Sequence, residues 1–249
     1  EDLKPNRLEA AKQVAADFIN GRPNDNIGLT IFAGQSFTQS PLTIDHAVLL
    51  NLFNSVSCDM AMNGIIEDGT AIGLGIANAV SRLKESKAKS KVVILLTDGS
   101  NNRGDISPLT AAEIAKTYGI RVYTVGVGSN GTAPYPYPTM GGVQYVQMPV
   151  EIDENTLQQI AKTADGQYYR ATSNSKLKEV YEEIGKAFYE RVYIPLSKRK
   201  TPLLFKFQPH QQKEFNSTFE GMQEEQHSFL GDDIVATVRR LGLIINRIA

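Results

Sequence analysis

The chain has 249 residues, of which 41% are hydrophobic and 21% are charged, proportions typical of an ordinary globular protein. Its 26 basic and 27 acidic residues give a net charge of −1, which provides no basic surface for nucleic acid and no attraction to an anionic membrane. With Cys58 as its one cysteine the chain forms no internal disulfide, and no apolar run approaches the ~20 residues of a membrane-spanning helix. The chain opens with Glu-Asp-Leu and has no signal peptide, so we expect it to be the interior of a longer protein.

Helix and strand patterns alternate from the N-terminus to about residue 190. In chain order we predict a helix ending at Asn20, strands at 27–33 and 37–42, helices at 46–53 and 68–83, a strand from Val92, a helix at 109–118, a strand at 120–127, a helix at 153–163, a strand at 167–171 and a helix at 175–188. This alternation indicates βαβ units. The predicted fold is therefore α/β, a doubly wound and mainly parallel sheet with helices on both faces.

The strand that begins at Val92 carries the first candidate site residue. Its unbroken apolar run to Leu96 predicts burial on both faces, and the carboxylate of Asp98 follows directly, before a glycine and a polar loop. Open α/β sheets bind ligands just outside the carboxyl ends of their strands, and a charge placed there favours a metal ion. A turn or helix-capping aspartate is an equally good interpretation of Asp98 taken alone.

Thr70 is the second candidate, because it lies at the start of the helix predicted at 68–83. A threonine there usually caps free backbone amides. Its hydroxyl is also a suitable ligand for a hard cation such as Mg²⁺ or Ca²⁺. Asp98 on a strand end makes the second interpretation stronger.

Other motifs give weaker signals. Gly126 to Gly131 matches the dinucleotide pattern G-x-G-x-x-G, but the prolines that follow forbid the helix that this site requires. The segment 133–139 is predicted to line a binding face or to pair as a β-hairpin with 143–148, and its tyrosines either form a recognition surface or pack within the loop. The three histidines lack metal-ligand spacing, and no serine has an evident catalytic partner, so we predict no catalytic and no cofactor-binding residue.

The composition changes after residue 192. A polar linker is followed by a strand-like segment at 203–207 and by a predicted helix from Gly231, whose apolar stripe is Ile234, Val238, Leu241, Ile245 and Ile248. We therefore divide the chain into a domain at 1–192 and a tail at 193–249 that consists of a linker plus helices.

Several long motifs occur in an order that resembles the von Willebrand factor A (vWA) domains, specifically those of the bacterial Bat aerotolerance proteins. The segments that carry this resemblance are Leu3–Lys12, Asn24–Gly34, Glu67–Gly73, Leu95–Gly104, Gly119–Gly128 and Pro149–Glu154. The resemblance implies a vWA or Rossmann-like sheet and a metal-ion-dependent adhesion site. That site combines a D-x-S-x-S loop after the first strand, a threonine and a second aspartate.

Thr70 and Asp98 match the threonine and the second aspartate as metal ligands, whereas D-x-S-x-S is absent from this sequence. The resemblance therefore implies an incomplete site in a chain that lacks the first central strand. With the strand-end rule, the family order also implies that Thr70 and Asp98 meet at the carboxyl edge of the sheet. Mg²⁺ is the cation most expected, with Mn²⁺ or Ca²⁺ as alternatives. We expect the missing strand to leave a marginal domain in which the strands at 27 and 92 are adjacent or open, unless 203–207 fills the place between them.

The resemblance also implies a function. It predicts a metal-ion-dependent protein-interaction module, not an enzyme, in which an acidic side chain of a protein partner completes the coordination of the cation. The parent protein is expected to be bacterial and membrane-anchored and to act in a stress-tolerance complex, with other vWA proteins and an AAA+ ATPase as candidate partners; this chain itself is expected to be soluble. The alternatives are a metal-free scaffold and, less favoured, a nucleotide- or phosphate-using enzyme on the same fold.

Overall fold

A computed structural model of the protein describes residues 2–57, 60, 66–86, 88, 90–129, 131–139, 142–149, 152–192 and 240–246. The helices are α1 (Arg7–Asn20), α2 (His46–Asn54), α3 (Ile72–Leu83), α4 (Pro108–Thr117), α5 (Glu154–Thr163) and α6 (Asn174–Val192). The strands are β1 (Asn26–Phe32), β2 (Ser36–Thr43), β3 (Lys91–Thr97), β4 (Ile120–Val127), β5 (Thr132–Thr139), β6 (Gly142–Pro149), β7 (Tyr168–Ala171) and β8 (Arg240–Asn246). The predicted alternation of helices and strands before residue 192 is confirmed.

The main sheet has six strands in the order β2-β1-β8-β3-β4-β7. The strands from β1 to β7 across the sheet pair in parallel, and β2 pairs antiparallel with β1 at one edge. The carboxyl ends of the parallel strands therefore lie at one edge of the sheet. This is the edge at which a doubly wound fold binds ligands.

Helices cover both faces of the sheet, which explains the continuous apolar run of β3. Ile94 packs in one core with α1, α2 and α6, whereas Val93 and Leu95 pack in a second core with α3, α4 and α5. Successive side chains of a strand point to opposite faces, so a strand buried on both faces carries apolar residues at consecutive positions. The prediction of a doubly wound α/β fold is confirmed.

Strand β8 occupies the middle of the sheet, between β1 and β3. Leu243 is in register with Leu29 on one side and with Ile94 on the other, and both pairings are parallel. The strand between β1 and β3 therefore comes from the C-terminal tail of the chain. The expectation that β1 and β3 would be open or direct neighbours is therefore wrong.

The helix predicted over the stripe from Ile234 to Ile248 is also wrong where the structure describes it, because residues 240–246 form β8. The physical reason is that Leu-Gly-Leu-Ile-Ile is a short unbroken apolar run, and such a run fits a buried strand as well as a helix. Hydrogen-bonded pairing with β1 on one side and β3 on the other stabilises the strand over the helix. The strand-like segment at 203–207 and the rest of the linker lie outside the described residues.

Strands β5 and β6 form a separate two-stranded antiparallel sheet, with Thr132 paired to Pro149 and Thr139 to Gly142. This confirms the hairpin alternative for the proline- and tyrosine-rich segment. Because β5 begins at Thr132, no helix follows Gly131, and the glycine motif lacks the helix N-terminus that a dinucleotide site requires.

Candidate functional site

Asp98 stands at the carboxyl edge of the sheet, immediately after β3 ends at Thr97. Thr97 is completely buried, whereas the side chain of Asp98 is 10% exposed. The carboxylate of Asp98 therefore lies where the buried strand ends and the polar loop 98–104 begins. This is the position that the sequence predicted for Asp98.

Thr70 does not cap the helix that follows it. Helix α3 begins at Ile72 with Ala71 as its N-cap, and no side-chain bond is made by that cap. The free amide of Ile72 instead donates to Oδ1 of Asn101, and the amide of Thr70 donates to Oδ1 of Asn102, each at 2.8 Å. The capping interpretation of Thr70 is therefore wrong, because Ala71 is the N-cap and Asn101 of the loop after β3 accepts from the first helix amide, that of Ile72.

The same loop brings Thr70 beside Asp98. The carbonyl oxygen of Thr70 accepts from the amides of Asn102 and Arg103 at 3.0 and 3.2 Å. A Cβ atom added to Gly99, the residue after Asp98, would lie 3.2 Å from Oγ1 of Thr70. The predicted meeting of the start of the α3 segment with the end of β3 is confirmed, while the ligand roles of Thr70 and Asp98 stay predictions.

The structure adds Arg7, which sequence reasoning missed. Its Nη1 donates to Oδ2 of Asp98 at 3.0 Å, and its Nε and Nη2 donate to the two oxygens of Asp2, each at 2.7 Å. Arg7 is the first residue of α1, where a cation opposes the helix dipole. A basic residue at that unfavourable position, next to the capping Asn6, is the sequence signal that could have indicated another role.

Asp2 connects this ion pair to the loop after β4, and Lys4 connects the same N-terminal segment to α6. The amide of Ser129, in the loop after β4, donates to Oδ2 of Asp2. The next residues are held by Asn174 at the start of α6, whose side-chain amide donates to the carbonyl of Lys4 at 2.8 Å. Burial by itself would raise the pKa of Asp2, but the hydrogen bonds from Arg7 and Ser129 outweigh it and hold that pKa well below its ordinary value.

The donors at this edge fit a divalent cation in kind but not in number. A hydroxyl and a carboxylate are oxygen ligands of the sort that Mg²⁺ and Ca²⁺ prefer. However, one oxygen of Asp98 is already bound by Arg7, and the described residues contain no group of three or more His, Cys, Asp or Glu side chains that could hold a metal ion.

The other sequence candidates lie elsewhere. His46 contacts the carbonyl of Asp25 through Nε2 at 2.8 Å, while His210 and His227 are outside the described residues. On the hairpin, Tyr145, Val146 and Met148 are 58%, 46% and 49% exposed. An exposed apolar group of this kind is consistent with the recognition surface considered for this segment.

Comparisons with known proteins identify the family. Residues 2–183 match the von Willebrand factor type A domain. The chain belongs to this family. A UPF0353 protein of Nocardia farcinica is 32% identical to the vWA chain over 203 residues, which cover 74% of this chain and 57% of that protein.

Two solved structures share both fold and sequence with this vWA chain. BatB from Bacteroides thetaiotaomicron has a TM-score of 0.63 and 32% identity, covering 74% of this chain and 90% of that one. An aerotolerance-related membrane protein from Bacteroides fragilis has a TM-score of 0.62 and 29% identity, covering 74% and 89%. These similarities confirm the resemblance to the Bat proteins.

The vWA chain spans about half the length of the curated relatives it matches, 52% and 57% for the first two. Among the helices that the structure describes, none is long and apolar enough to cross a membrane.

Proposed function

We propose that this chain is a protein-interaction module whose binding surface is the carboxyl edge of the sheet around Thr70 and Asp98. The observation that carries the proposal is the meeting of these residues, which the loop 98–104 holds through hydrogen bonds to both sides of the Thr70 peptide. Hydrogen-bonded loops on a rigid sheet are the usual place for binding residues in this architecture. The similarity to an aerotolerance-related membrane protein of Bacteroides fragilis supports a place in a bacterial aerotolerance-related complex at a membrane.

The exposed surface around this edge suits a protein partner that presents an acidic residue. Asn102 and Arg103 are exposed on the loop after Asp98, and Arg103 adds a positive charge there. The nearby chain also supplies the β5–β6 hairpin, which contains no charged residue from 132 to 149 and exposes Tyr145 and Met148. The exposed Arg103 and the apolar hairpin would bind an acidic group and the apolar surface beside it. Other vWA proteins and an AAA+ ATPase are the candidate partners.

In the metal-dependent form of this proposal, Thr70 and Asp98 are ligands of a divalent cation, most favourably Mg²⁺, and the acidic side chain of the partner binds to that cation. In the family pattern the remaining ligands come from a D-x-S-x-S loop, which this sequence does not contain. The cation would supply an electrophilic centre for the partner's carboxylate. No residue at this edge is proposed as a nucleophile or general base.

A metal-free scaffold is the second candidate, and the pairing of Arg7 with Asp98 favours it. The guanidinium of Arg7 already lies beside the negative charge of Asp98, which would otherwise attract a metal ion. The enzyme alternative has less support, because the glycine motif of residues 126–131 is followed by β5 where a nucleotide site needs a helix.

Site-specific photo-crosslinking tests the proposed surface. A photoreactive amino acid is placed at exposed Asn102, and a matched control is placed at Tyr118, which is 45% exposed before β4 at the opposite edge of the sheet. We expect the full chain, expressed in its native cells, to crosslink to a defined protein from position 102 only. Identical products from both positions, or no product from position 102, would contradict the proposal.

The identified partner is then purified and its affinity is measured with EDTA and with Mg²⁺. Loss of binding in EDTA supports the metal-dependent form, and equal affinity in both conditions supports the metal-free scaffold. An Arg103→Glu substitution should weaken binding if the partner presents a carboxylate, because like charges then meet.

A further inference from the structure

Each of the three nitrogens of the Arg7 guanidinium donates to a carboxylate, and the two carboxylates come from separate parts of the chain. Nε and Nη2 bind Asp2 at 2.7 Å, and Nη1 binds Asp98 at 3.0 Å. The side chains of Arg7, Asp2 and Asp98 are only 8%, 8% and 10% exposed. Water therefore screens these charges much less than it screens ion pairs on an open surface.

This contact places one positive charge where three segments of the chain converge. Asp2 belongs to the N-terminal segment, Asp98 follows β3, and Ser129, whose amide donates to Asp2, follows β4. Gly128 leaves room for the guanidinium, because its φ is +142° and an added Cβ atom would lie 2.9 Å from Cζ of Arg7. Arg7 thus gathers acidic groups from separate loops, which is what a bound cation does in a metal site.

We propose that Arg7 is the resident cation of this site and determines whether the site accepts a divalent metal ion. While the guanidinium binds both carboxylates, the three groups carry one negative charge in excess and the edge is organised without metal. With a neutral side chain at position 7, Asp2 and Asp98 lose their shared countercharge, and together with the Thr70 hydroxyl they offer the oxygen donors that Mn²⁺ and Mg²⁺ prefer. The inference rests on the proposed function only in taking this edge as the binding surface.

A purely structural role for Arg7 makes a different prediction. Lysine keeps the positive charge but lacks the planar fork that binds a carboxylate through two nitrogens. Glutamine removes the charge and keeps a hydrogen-bond donor. If Arg7 only held the loops in place, both substitutions would lower stability and neither would change the affinity for a cation. If Arg7 excludes the metal ion by its charge, only glutamine raises that affinity.

The experiment measures Mn²⁺ binding to the full chain by electron paramagnetic resonance of the free ion. We expect Arg7→Gln to bind Mn²⁺ at least about tenfold more tightly than the unchanged chain, because a nearby like charge is removed. Arg7→Lys should bind as weakly as the unchanged chain, and the double variant Arg7→Gln with Asp98→Asn should lose the gain. Equal affinity of Arg7→Gln and the unchanged chain, or an equal gain in Arg7→Lys, would overturn the proposal.

Circular dichroism first establishes whether each variant is folded, since the substitutions break buried ion pairs. If Arg7→Gln does not fold, the unchanged chain provides the decision. Its urea unfolding midpoint should stay constant up to about 1 mM Mn²⁺, because a ligand that binds only the folded state would raise it. A raised midpoint overturns the proposal. No partner protein takes part, so the result is independent of the crosslinking outcome.

Discussion

The central position of β8 predicts that the fold depends on the last residues of the chain. Deletion of residues 240–249 would remove the parallel partner of β1 along Asn26–Phe32 and of β3 along Val92–Leu96. Alternate residues of a parallel strand bond to each neighbour, so roughly ten backbone groups would lose their partners. If only about four stay buried and unpaired, at about 1–3 kcal/mol each, the loss is about 4–12 kcal/mol. That loss is comparable with the whole stability of a typical domain, about 5–15 kcal/mol.

A point substitution tests the same pairing without shortening the chain. Leu243→Pro removes the backbone N–H of a residue in register with both Leu29 and Ile94, and proline is not tolerated in a central strand. We expect it to lower the free energy of unfolding by at least about 2 kcal/mol. Leu243→Ile is the matched control, because it keeps the N–H and the apolar character, and it should stay within about 1.5 kcal/mol of the unchanged chain.

Urea unfolding followed by far-ultraviolet circular dichroism is the suitable assay, since the chain contains no tryptophan. Size-exclusion chromatography of the same samples detects association through the exposed edges of β1 and β3. The unchanged chain should show one cooperative transition, and the deletion variant should show none or a much earlier one. A deletion variant with the same midpoint and slope as the unchanged chain would refute the pairing of β8 with β1 and β3.

Three further predictions concern the cation, the acid stability and the packing. Calorimetric titration should show weak Mg²⁺ binding or none, because one carboxylate and one hydroxyl replace few of the six positions that Mg²⁺ requires; micromolar binding that disappears in Asp98→Ala would contradict this. Asp2→Asn should cost about 2 kcal/mol of unfolding free energy at pH 7, since it weakens bonds to a charged group. The pKa of Asp2 is depressed in the folded state, so this difference should be complete above about pH 5 and shrink as the pH falls below its ordinary value of 3.8; a difference that stays constant down to pH 2 would exclude the linkage. Gly73→Ala should lower the free energy of unfolding by about 2 kcal/mol or more, because the added Cβ atom would lie 1.9 Å from the carbonyl oxygen of Ile106. Gly21→Ala is the control: its Cβ atom would meet nothing closer than 3.5 Å, and the variant should differ from the unchanged chain by less than about 1 kcal/mol in thermal unfolding.

The strand-end rule and the motif order of the vWA family together predicted that Thr70 and Asp98 meet. An unbroken apolar run places Asp98 at the carboxyl end of a buried strand, whereas Thr70 lies just before α3 and was placed at that edge by the family order. The same reasoning could not find the contact between Arg7 and Asp98, which are 91 residues apart. That contact depends on the direction of the Arg7 side chain and on the space beside Gly128. The spacing of apolar residues in the sequence contains no information about either.

The strand β8 was mispredicted for a different reason. The apolar residues of its segment satisfy a helical stripe and a short buried run equally well, and period alone does not separate the two. The segment forms a strand because β1 and β3 offer pairing partners on both sides, which is a property of the whole sheet. Such long-range pairing overrides the local preference of a segment for helix or strand.

The capping of α3 by the β3 loop has a mechanical consequence. The amides of Thr70 and Ile72 are bonded to Asn102 and Asn101, and the amide of Ala71 donates to the carbonyl of Ala33 just after β1. A displacement of the loop by an arriving partner would strip α3 of its first bonds unless the helix travelled with it. The loop 98–104 and the first turn of α3 are therefore joined by hydrogen bonds, and we expect them to move together when a partner binds at the loop.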